Sequence, residues 1–156
     1  MSDLSEDIIR YAGAFTSPED QVLYNLYRET NLTTVYPNML SGHLQGRFLE
    51  MISHMIRPAR ILEIGTFTGY SAICMARGLD QNGRLHTIDI NDELTHGALK
   101  YFRLAGLEDR IVLHTGDACK VIPTLDEHFD LVFIDGDKEQ YVAYYKELFP
   151  KVKKGG

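Results

Sequence analysis

The chain has 156 residues, of which 44% are hydrophobic and 24% charged, a composition typical of a globular domain. This length is enough for one hydrophobic core and short for two. The formal net charge of -6 at pH 7 argues against a nucleic-acid partner, because the only basic cluster is Lys151, Lys153 and Lys154. No apolar run approaches the ~20 residues of a membrane-spanning helix, so we expect no membrane partner.

The N-terminus and the cysteines predict a cytoplasmic location. The first seven residues are acidic and lack the apolar stretch of a signal peptide. Cys74 and Cys119 stand alone in apolar surroundings, without the spacing of a metal site. We expect both to be buried free thiols.

Residues 1–57 predict helices. Ser17 and Pro18, followed by two acids, are typical of a helix start, with a capping hydroxyl and proline at the first helical position. Apolar residues then recur at helical spacing as far as Tyr27. Residues 31–38 predict a loop, and an amphipathic helix follows that ends before Pro58.

Residues 58–156 predict strands alternating with helices. The predicted strands are 60–64, 85–88, 111–114 and 131–134, and the predicted helices are 70–79, 93–104, 118–122 and 139–148. Helical crossovers between continuously apolar strands indicate a parallel sheet covered on both faces. We therefore predict one α/β domain over residues 1–156, with N-terminal helices in 1–57 and a cofactor-binding core in 58–156.

The last six residues, 151–156, resemble a turn about to lead into a further strand. We interpret the chain as cut short before its C-terminal strands; the alternative is a natural small domain that ends there. Truncation would leave the strand 131–134 with an open edge, which favours association. We therefore expect a homodimer.

Glycines and acids follow the four predicted strands, where ligands bind in open parallel sheets. Glu63 precedes a loop containing Gly65 and Gly69, which permits a tight turn into a helix. Asp89 follows the second strand, where a carboxylate can bind the two hydroxyls of a ribose. Residues 116–118 and 135–138 follow the third and fourth strands.

The glycine loop favours S-adenosylmethionine over a dinucleotide. A nicotinamide fold would carry glycine where Phe67 stands, so that a pyrophosphate could approach the backbone. The acid at Glu63 would repel a pyrophosphate, whereas it suits an ammonium or sulfonium group. A charge-assisted hydrogen bond to such a cation contributes roughly 1.5–3 kcal/mol.

The runs Glu-Ile-Gly-Thr-Phe-Thr-Gly-Tyr-Ser (63–71) and Phe-Ile-Asp-Gly-Asp-Lys (133–138), with Asp89 and Gly-Asp-Ala (116–118) between them, resemble the small cation-dependent O-methyltransferases. These are the relatives of the caffeoyl-CoA and catechol enzymes. The resemblance covers nearly the whole chain. It implies a Rossmann-like methyltransferase fold without its C-terminal strands, and an enzyme that methylates a small catechol-like or phenolic acceptor.

The resemblance also implies roles for individual residues. Asp135 matches a metal ligand, and Lys138 matches the lysine proposed as general base in the catechol branch. The family's remaining metal ligands, an Asp-Asn pair, would fall beyond Gly156. A magnesium or calcium ion is therefore implied for the intact enzyme, whereas one carboxylate in this chain cannot supply the six or so oxygens of such an ion. The implied cofactor-binding residues are Ser41, Glu63, Gly65, Thr66, Gly69, Ser71, Asp89, Ala118, Asp137 and Tyr144.

Purely structural roles compete with these assignments. Glu63 could pair with Arg60, Asp89 and Ser41 could cap helices, and Lys138 could be a solvated surface lysine. Three functional alternatives also remain open: a cofactor-binding chain without turnover, an NAD-dependent oxidoreductase, and a non-catalytic interaction module.

Overall fold

The computed structural model describes residues 3–156, with side chains from residue 6 onward. Three helices precede the sheet: α1 (Asp3–Ala14), α2 (Gln21–Thr33) and α3 (Gly42–Ile56). The predicted loop after α2 is shorter than expected, because α2 continues to Thr33 and a 3-10 turn occupies Pro37–Met39. None of the helices in this described range is long and apolar enough to cross a bilayer.

The start of α2 corrects one prediction. The helix begins at Gln21 rather than beside Pro18, and its N-cap is Asp20 rather than Ser17. One carboxylate oxygen of Asp20 accepts hydrogen bonds from the backbone N–H groups of Val22 (2.9 Å) and Leu23 (3.1 Å). The negative charge of a carboxylate at this position also interacts favourably with the positive end of the helix. A neutral hydroxyl lacks this interaction.

Four parallel strands form the sheet, in the order β3-β2-β1-β4. The strands are β1 (Arg60–Ile64), β2 (Arg84–Asp89), β3 (Ile111–Thr115) and β4 (Leu131–Ile134). The connecting and flanking helices are α4 (Tyr70–Arg77), α5 (Thr95–Leu104), α6 (Ala118–Val121) and α7 (Tyr141–Leu148). The predicted parallel α/β sheet is confirmed, and each predicted strand lies within one or two residues of its observed bounds.

Two hydrophobic cores cover the two faces of the sheet, and β1 contributes to both. Ile61 packs into the core under α2 to α5, whereas Leu62 and Ile64 pack into the core under α6 and α7. Successive side chains of a strand point to opposite faces. Glu63 therefore shares the face of Ile61 and lies beneath α4.

The last residues of the chain contact the segment that leads into β4. Beyond α7 and a 3-10 turn at Phe149–Lys151, Val152 forms a parallel bridge with Phe129, just before β4. The Lys153 amine donates to Asp130 over 2.6 Å, and Asp130 accepts from two backbone N–H groups at the start of β1. The turn predicted at 151–156 therefore pairs with the segment that leads into β4.

The two cysteines differ in burial. Both are free, as predicted; Cys74 is buried in α4, but Cys119 is only half-buried. Cys119 packs against the core rather than inside it, because it lies in the short helix α6 at the rim of the sheet.

Candidate functional site

A cavity of about 700 Å³ lies at the carboxyl ends of the four strands. Residues from the turns after all four strands line it, and the segment between α2 and α3 lines another part of its wall. The place of this cavity is the one where parallel α/β sheets bind ligands.

The turn between β1 and α4 forms part of the cavity wall through an unusual backbone. Gly65 has φ +104°, and a Cβ at this position would collide with the backbone carbonyl of Asp135. Gly69 has φ +91° and packs against the ring of Phe102. Phe67 also lies in the left-handed region, with φ +48°. Glycine is therefore required at Gly65 by close packing of β1 against the end of β4.

Asp89, at the end of β2, stabilises this turn and borders the cavity. Its carboxylate accepts from the backbone N–H of Phe67 (2.7 Å) and from that of Asn91 (2.9 Å). The next helix begins only at Thr95, so Asp89 does not cap it. Each carboxylate oxygen has a further lone pair, and Asp89 is therefore able to accept hydrogen bonds from a ligand in the cavity.

Glu63 is placed differently from our expectation. Its side chain is 0% exposed, and it does not belong to the described residues that line the cavity. One oxygen accepts from the Ser71 hydroxyl and the other from the Thr87 hydroxyl, each over 2.5 Å. Glu63 therefore lies outside the described cavity lining, because Ile64 ends β1 at the cavity, and its contact with a cofactor stays a prediction. The alternative pairing with Arg60 is wrong, since Arg60 binds Glu127 at 3.0 Å.

The environment of Glu63 makes its ionisation unfavourable. Burial raises the pKa of Glu63 to about 7, against hydrogen bonds from Ser71 and Thr87 that act to lower it. The negative charges of Asp135 and Asp89 raise this pKa further. A cation in the neighbouring cavity would therefore stabilise the ionised form of Glu63.

The turns after β3 and β4 supply small and acidic groups. Asp117 caps α6 by accepting from the backbone N–H of Cys119 at 3.0 Å. Asp137 caps a 3-10 turn at Lys138–Gln140 by accepting from the Glu139 N–H at 3.0 Å. Both acids are thus turn and cap residues, and both also line the cavity.

Tyr144 approaches the cavity from α7. It is 5% exposed and lines the wall beside Gly136. A Cβ at Gly136 would lie 3.4 Å from the Tyr144 ring, so the absence of a side chain at Gly136 lets the ring lie close to the end of β4. Burial, together with the charge of Asp137, raises the pKa of the Tyr144 hydroxyl, which keeps it neutral at physiological pH.

The structure brings most of the predicted site residues together. The cavity is lined by Ser41, Gly65, Thr66, Ser71, Asp89, Ala118, Asp135, Asp137 and Tyr144. Within the described chain, Glu63, Gly69 and Lys138 lie outside this lining. Lys138 is exposed at the start of its 3-10 turn. Ser41 makes no capping hydrogen bond at the start of α3, so the cap alternative for Ser41 is not supported.

Several lining residues were not singled out from the sequence. Val35, Tyr36 and Met39 extend the cavity from the segment before α3, and Ile90 and Leu94 extend it beyond β2. They are largely apolar, and exposure of Met39 (60%) and Ile90 (74%) is high for such side chains. Ile90 directly follows Asp89 at the end of β2. This position beside a predicted site residue was the one feature of the sequence that could have identified Ile90 as a cavity residue.

A metal site is not formed by the described residues. No three His, Cys, Asp or Glu side chains among them are grouped so that they could hold an ion. Asp135 is exposed at the cavity and would supply a single carboxylate. A hard divalent cation binds about six oxygens, so the residues present do not fit such an ion.

Comparison with known proteins identifies the family. A family model described as O-methyltransferase matches residues 14–156. The chain belongs to this O-methyltransferase family. It is 40% identical over 106 residues to a catechol O-methyltransferase of Niastella koreensis. The matched segment covers 65% of this chain and 48% of that protein. The chain spans about half the length of the curated relatives it matches.

Solved structures of methyltransferases share the fold. The SAH-bound methyltransferase PaMTH1 of Podospora anserina superposes with a TM-score of 0.91 at 25% identity, covering 97% of this chain and 66% of that one. The O-methyltransferase TomG of Streptomyces achromogenes, in complex with SAM, gives a TM-score of 0.86 at 30% identity, covering 98% and 71%. The predicted Rossmann-like methyltransferase fold is therefore confirmed.

Proposed function

We propose that the chain binds S-adenosylmethionine (SAM) in the cavity at the strand ends and transfers its methyl group to an oxygen of a small phenolic acceptor. The observation that carries the proposal is the place of Asp89: a carboxylate at the end of β2, held by two backbone N–H groups, on the wall of a cavity of about 700 Å³. The membership of the O-methyltransferase family supports the reaction class.

The cavity suits the parts of this cofactor. Asp89 is placed to accept hydrogen bonds from the two ribose hydroxyls, and the small Ala118 leaves room for a flat adenine ring. Ser71 and Thr66 lie on the wall next to the glycine turn, where the methionine part would bind. No phosphate is required by this arrangement, and the acids around the cavity would repel one.

The chain's own contribution to transfer is alignment. Bound SAM supplies an electrophilic methyl group on a sulfonium, and the acceptor oxygen must lie in line with it. Holding the two partners in that geometry can contribute several kcal/mol. We propose that Tyr36 and Met39, on the wall formed by the segment before α3, contact the acceptor. A catechol-like acceptor is the choice that the name of the Niastella koreensis relative supports.

The roles of Lys138 and Asp135 are also proposals. Lys138 could accept the phenolic proton only after its exposed side chain turns towards the cavity. Asp135 would supply one carboxylate to a divalent ion, and the described residues do not complete the coordination of such an ion.

Methyl transfer itself is tested with SAM labelled in its methyl group and catechol as acceptor. We expect labelled O-methyl catechol to form in the presence of the protein. Binding of SAM without product would favour the alternative of a binding chain without turnover. Binding of NADH with no binding of SAM would contradict the proposal and favour the oxidoreductase.

The state of assembly and the location also remain proposals. We propose a homodimer with a small-molecule acceptor as its other partner, because large apolar side chains are exposed near the N-terminal helices: Phe15, directly after α1, and Met55, in α3, are each 77% exposed. The free cysteines fit the cytoplasmic location predicted from the sequence. Light scattering that gives the mass of a monomer at micromolar concentration would contradict the dimer.

A further inference from the structure

Residues 17–20, directly before α2, are bound to α3 and α4 by one polar contact from each residue. The contacts are, in chain order, the Ser17 carbonyl with His43 (2.7 Å), the Pro18 carbonyl with Arg47 (2.5 Å), the Glu19 carboxylate with the Tyr70 hydroxyl, and the Asp20 carboxylate with Arg77 (2.5 Å). Of these residues, all within the described part of the chain, Tyr70 alone lines the cavity. Glu19 is therefore the residue of this segment that contacts the cavity wall.

Tyr70 is buried between α3 and the cavity. It is 2% exposed, and it begins α4 directly after Gly69 of the glycine turn. Its ring packs so closely against α3 that a Cβ added at Gly46 would lie 2.5 Å from a ring carbon. Ser41, directly before α3, lines the cavity, as Ser71 does. A movement of the ring would therefore shift the wall at Ser41 relative to the wall at Ser71.

The Tyr70 hydroxyl receives its hydrogen-bond partner from Glu19. Burial and the hydrogen bond to Glu19 both raise the pKa of Tyr70, so the hydroxyl keeps its proton at physiological pH and donates it to the carboxyl group. A carboxyl oxygen accepts this bond whether or not Glu19 is ionised. A buried hydroxyl without a partner is unfavourable. Without an acceptor at position 19, the ring would have to move until the hydroxyl met water or another acceptor.

We propose that Glu19 is a positioning residue for the cofactor. By accepting from the Tyr70 hydroxyl, it fixes the ring between α3 and the glycine turn, and so sets the wall at Ser41 and Ser71 where the amino-acid part of SAM would bind. The inference rests on the proposed function, which places SAM in this cavity. Glu19 is not among the described residues that line the cavity, so it acts through Tyr70.

Three variants separate this role from a general effect on folding. Glu19→Leu fills a similar space and excludes water, but it leaves the Tyr70 hydroxyl without an acceptor. Glu19→Gln keeps an acceptor, the amide oxygen, and removes only the charge. The double variant Glu19→Leu/Tyr70→Phe removes the hydroxyl together with its partner, and replacing both partners of a buried hydrogen bond by apolar groups is nearly neutral.

The readout is the affinity for two ligands, S-adenosylhomocysteine (SAH) and 5′-methylthioadenosine, measured by calorimetry. Both contain the adenosine and a sulfur, but only SAH carries the amino-acid part. In Glu19→Leu we expect affinity for SAH to fall about fivefold or more, while affinity for 5′-methylthioadenosine changes less than about twofold. Glu19→Gln and the double variant should both bind SAH within about twofold of the unaltered protein.

Two further variants complete the test. Glu19→Ala lets water replace part of the lost bond, so it should show a smaller loss, about twofold to threefold, for SAH alone. The result therefore does not depend on the folding of Glu19→Leu. Asp20→Asn is the matched control: it keeps the helix cap, weakens the ion pair with Arg77, and should leave both affinities unchanged.

The outcomes distinguish this inference from the proposed function. Equal losses for the two ligands, no loss of SAH affinity in Glu19→Leu and Glu19→Ala, or no recovery when Tyr70→Phe is added would overturn the role of Glu19 alone, provided that the unaltered protein binds both ligands. If the unaltered protein bound neither ligand, the proposed function would fail, and the role of Glu19 with it.

Discussion

Replacing Gly65 by alanine is expected to destabilise the protein by about 3 kcal/mol or more and to abolish binding at the cavity. The residue has φ +104°, which disfavours any side chain, and the added Cβ would collide with the Asp135 carbonyl. A carbonyl in the backbone cannot rotate away as a flexible side chain can. Relief requires the ends of β1 and β4 to separate, which would displace Asp135 and the glycine turn together.

Thermal unfolding followed by circular dichroism measures this effect. For a chain of this size we expect the Tm of Gly65→Ala to fall by roughly 10 °C. Gly97→Ala is the matched control: Gly97 lies in α5, and a Cβ there meets nothing within 4 Å. Alanine is the better helix former, so Gly97→Ala should raise the Tm slightly. Equal Tm values for the two variants would contradict the close contact between Gly65 and the Asp135 carbonyl.

Glu63→Gln is expected to stabilise the protein without ligand at pH 8 and to have far less effect near pH 4.5. The ordinary pKa of a glutamate is 4.5, and burial raises the pKa of Glu63 to about 7. Between these values the folded state holds a proton that the unfolded state has released, so stability falls as pH rises through this window. The loss is complete above pH 7 and amounts to about 3 kcal/mol, whereas both states are protonated below pH 4.5. Glutamine carries no charge and avoids this loss.

Urea unfolding at pH 8 and pH 4.5 provides the measurement. The free energy of unfolding of Glu63→Gln, relative to the unaltered protein, should be more favourable at pH 8 by about 3 kcal/mol than at pH 4.5. The difference between the two proteins is compared at each pH because other groups titrate in both. Glu108→Gln, at an exposed position, should show no such change with pH. A relative stability of Glu63→Gln that is the same at both pH values would mean that Glu63 is ionised at no cost in the fold.

At neutral pH the buried carboxylate of Glu63 destabilises the protein without ligand. Buried charged groups are unfavourable unless paired, and perturbed pKa values therefore occur often at functional sites.

The sequence was sufficient to predict the order and type of the sheet elements. Apolar runs such as 60–64 and 131–134, separated by helical stretches, gave strands within two residues of the observed bounds. The acids and glycines after the strands predicted where the cavity lies. Both predictions depend on local patterns, which a parallel α/β fold places at one end of the sheet.

Contacts between distant segments could not be predicted from the sequence. Glu63 precedes the glycine turn directly and was expected at the cavity, but the alternation of side chains along β1 turns it beneath α4, where Ser71 and Thr87 bind it. Thr87 is a single threonine within a predicted strand, and nothing in the pattern around it indicated a hydrogen bond to Glu63. The exposed position of Lys138 likewise depends on the 3-10 turn that precedes α7, which composition does not reveal.

The central claim is that the strand-end cavity binds an adenosyl cofactor through its ribose. Calorimetry tests it most directly, with S-adenosylhomocysteine, the demethylated product, titrated into the protein and into its Asp89→Ala variant. The unaltered protein should bind, and Asp89→Ala should lose about tenfold or more in affinity, because hydrogen bonds to a charged group contribute about 1.5–3 kcal/mol. The exposed neighbour Asp92→Ala should bind as the unaltered protein does. Equal affinities for all three proteins, or no binding by any, would contradict the account.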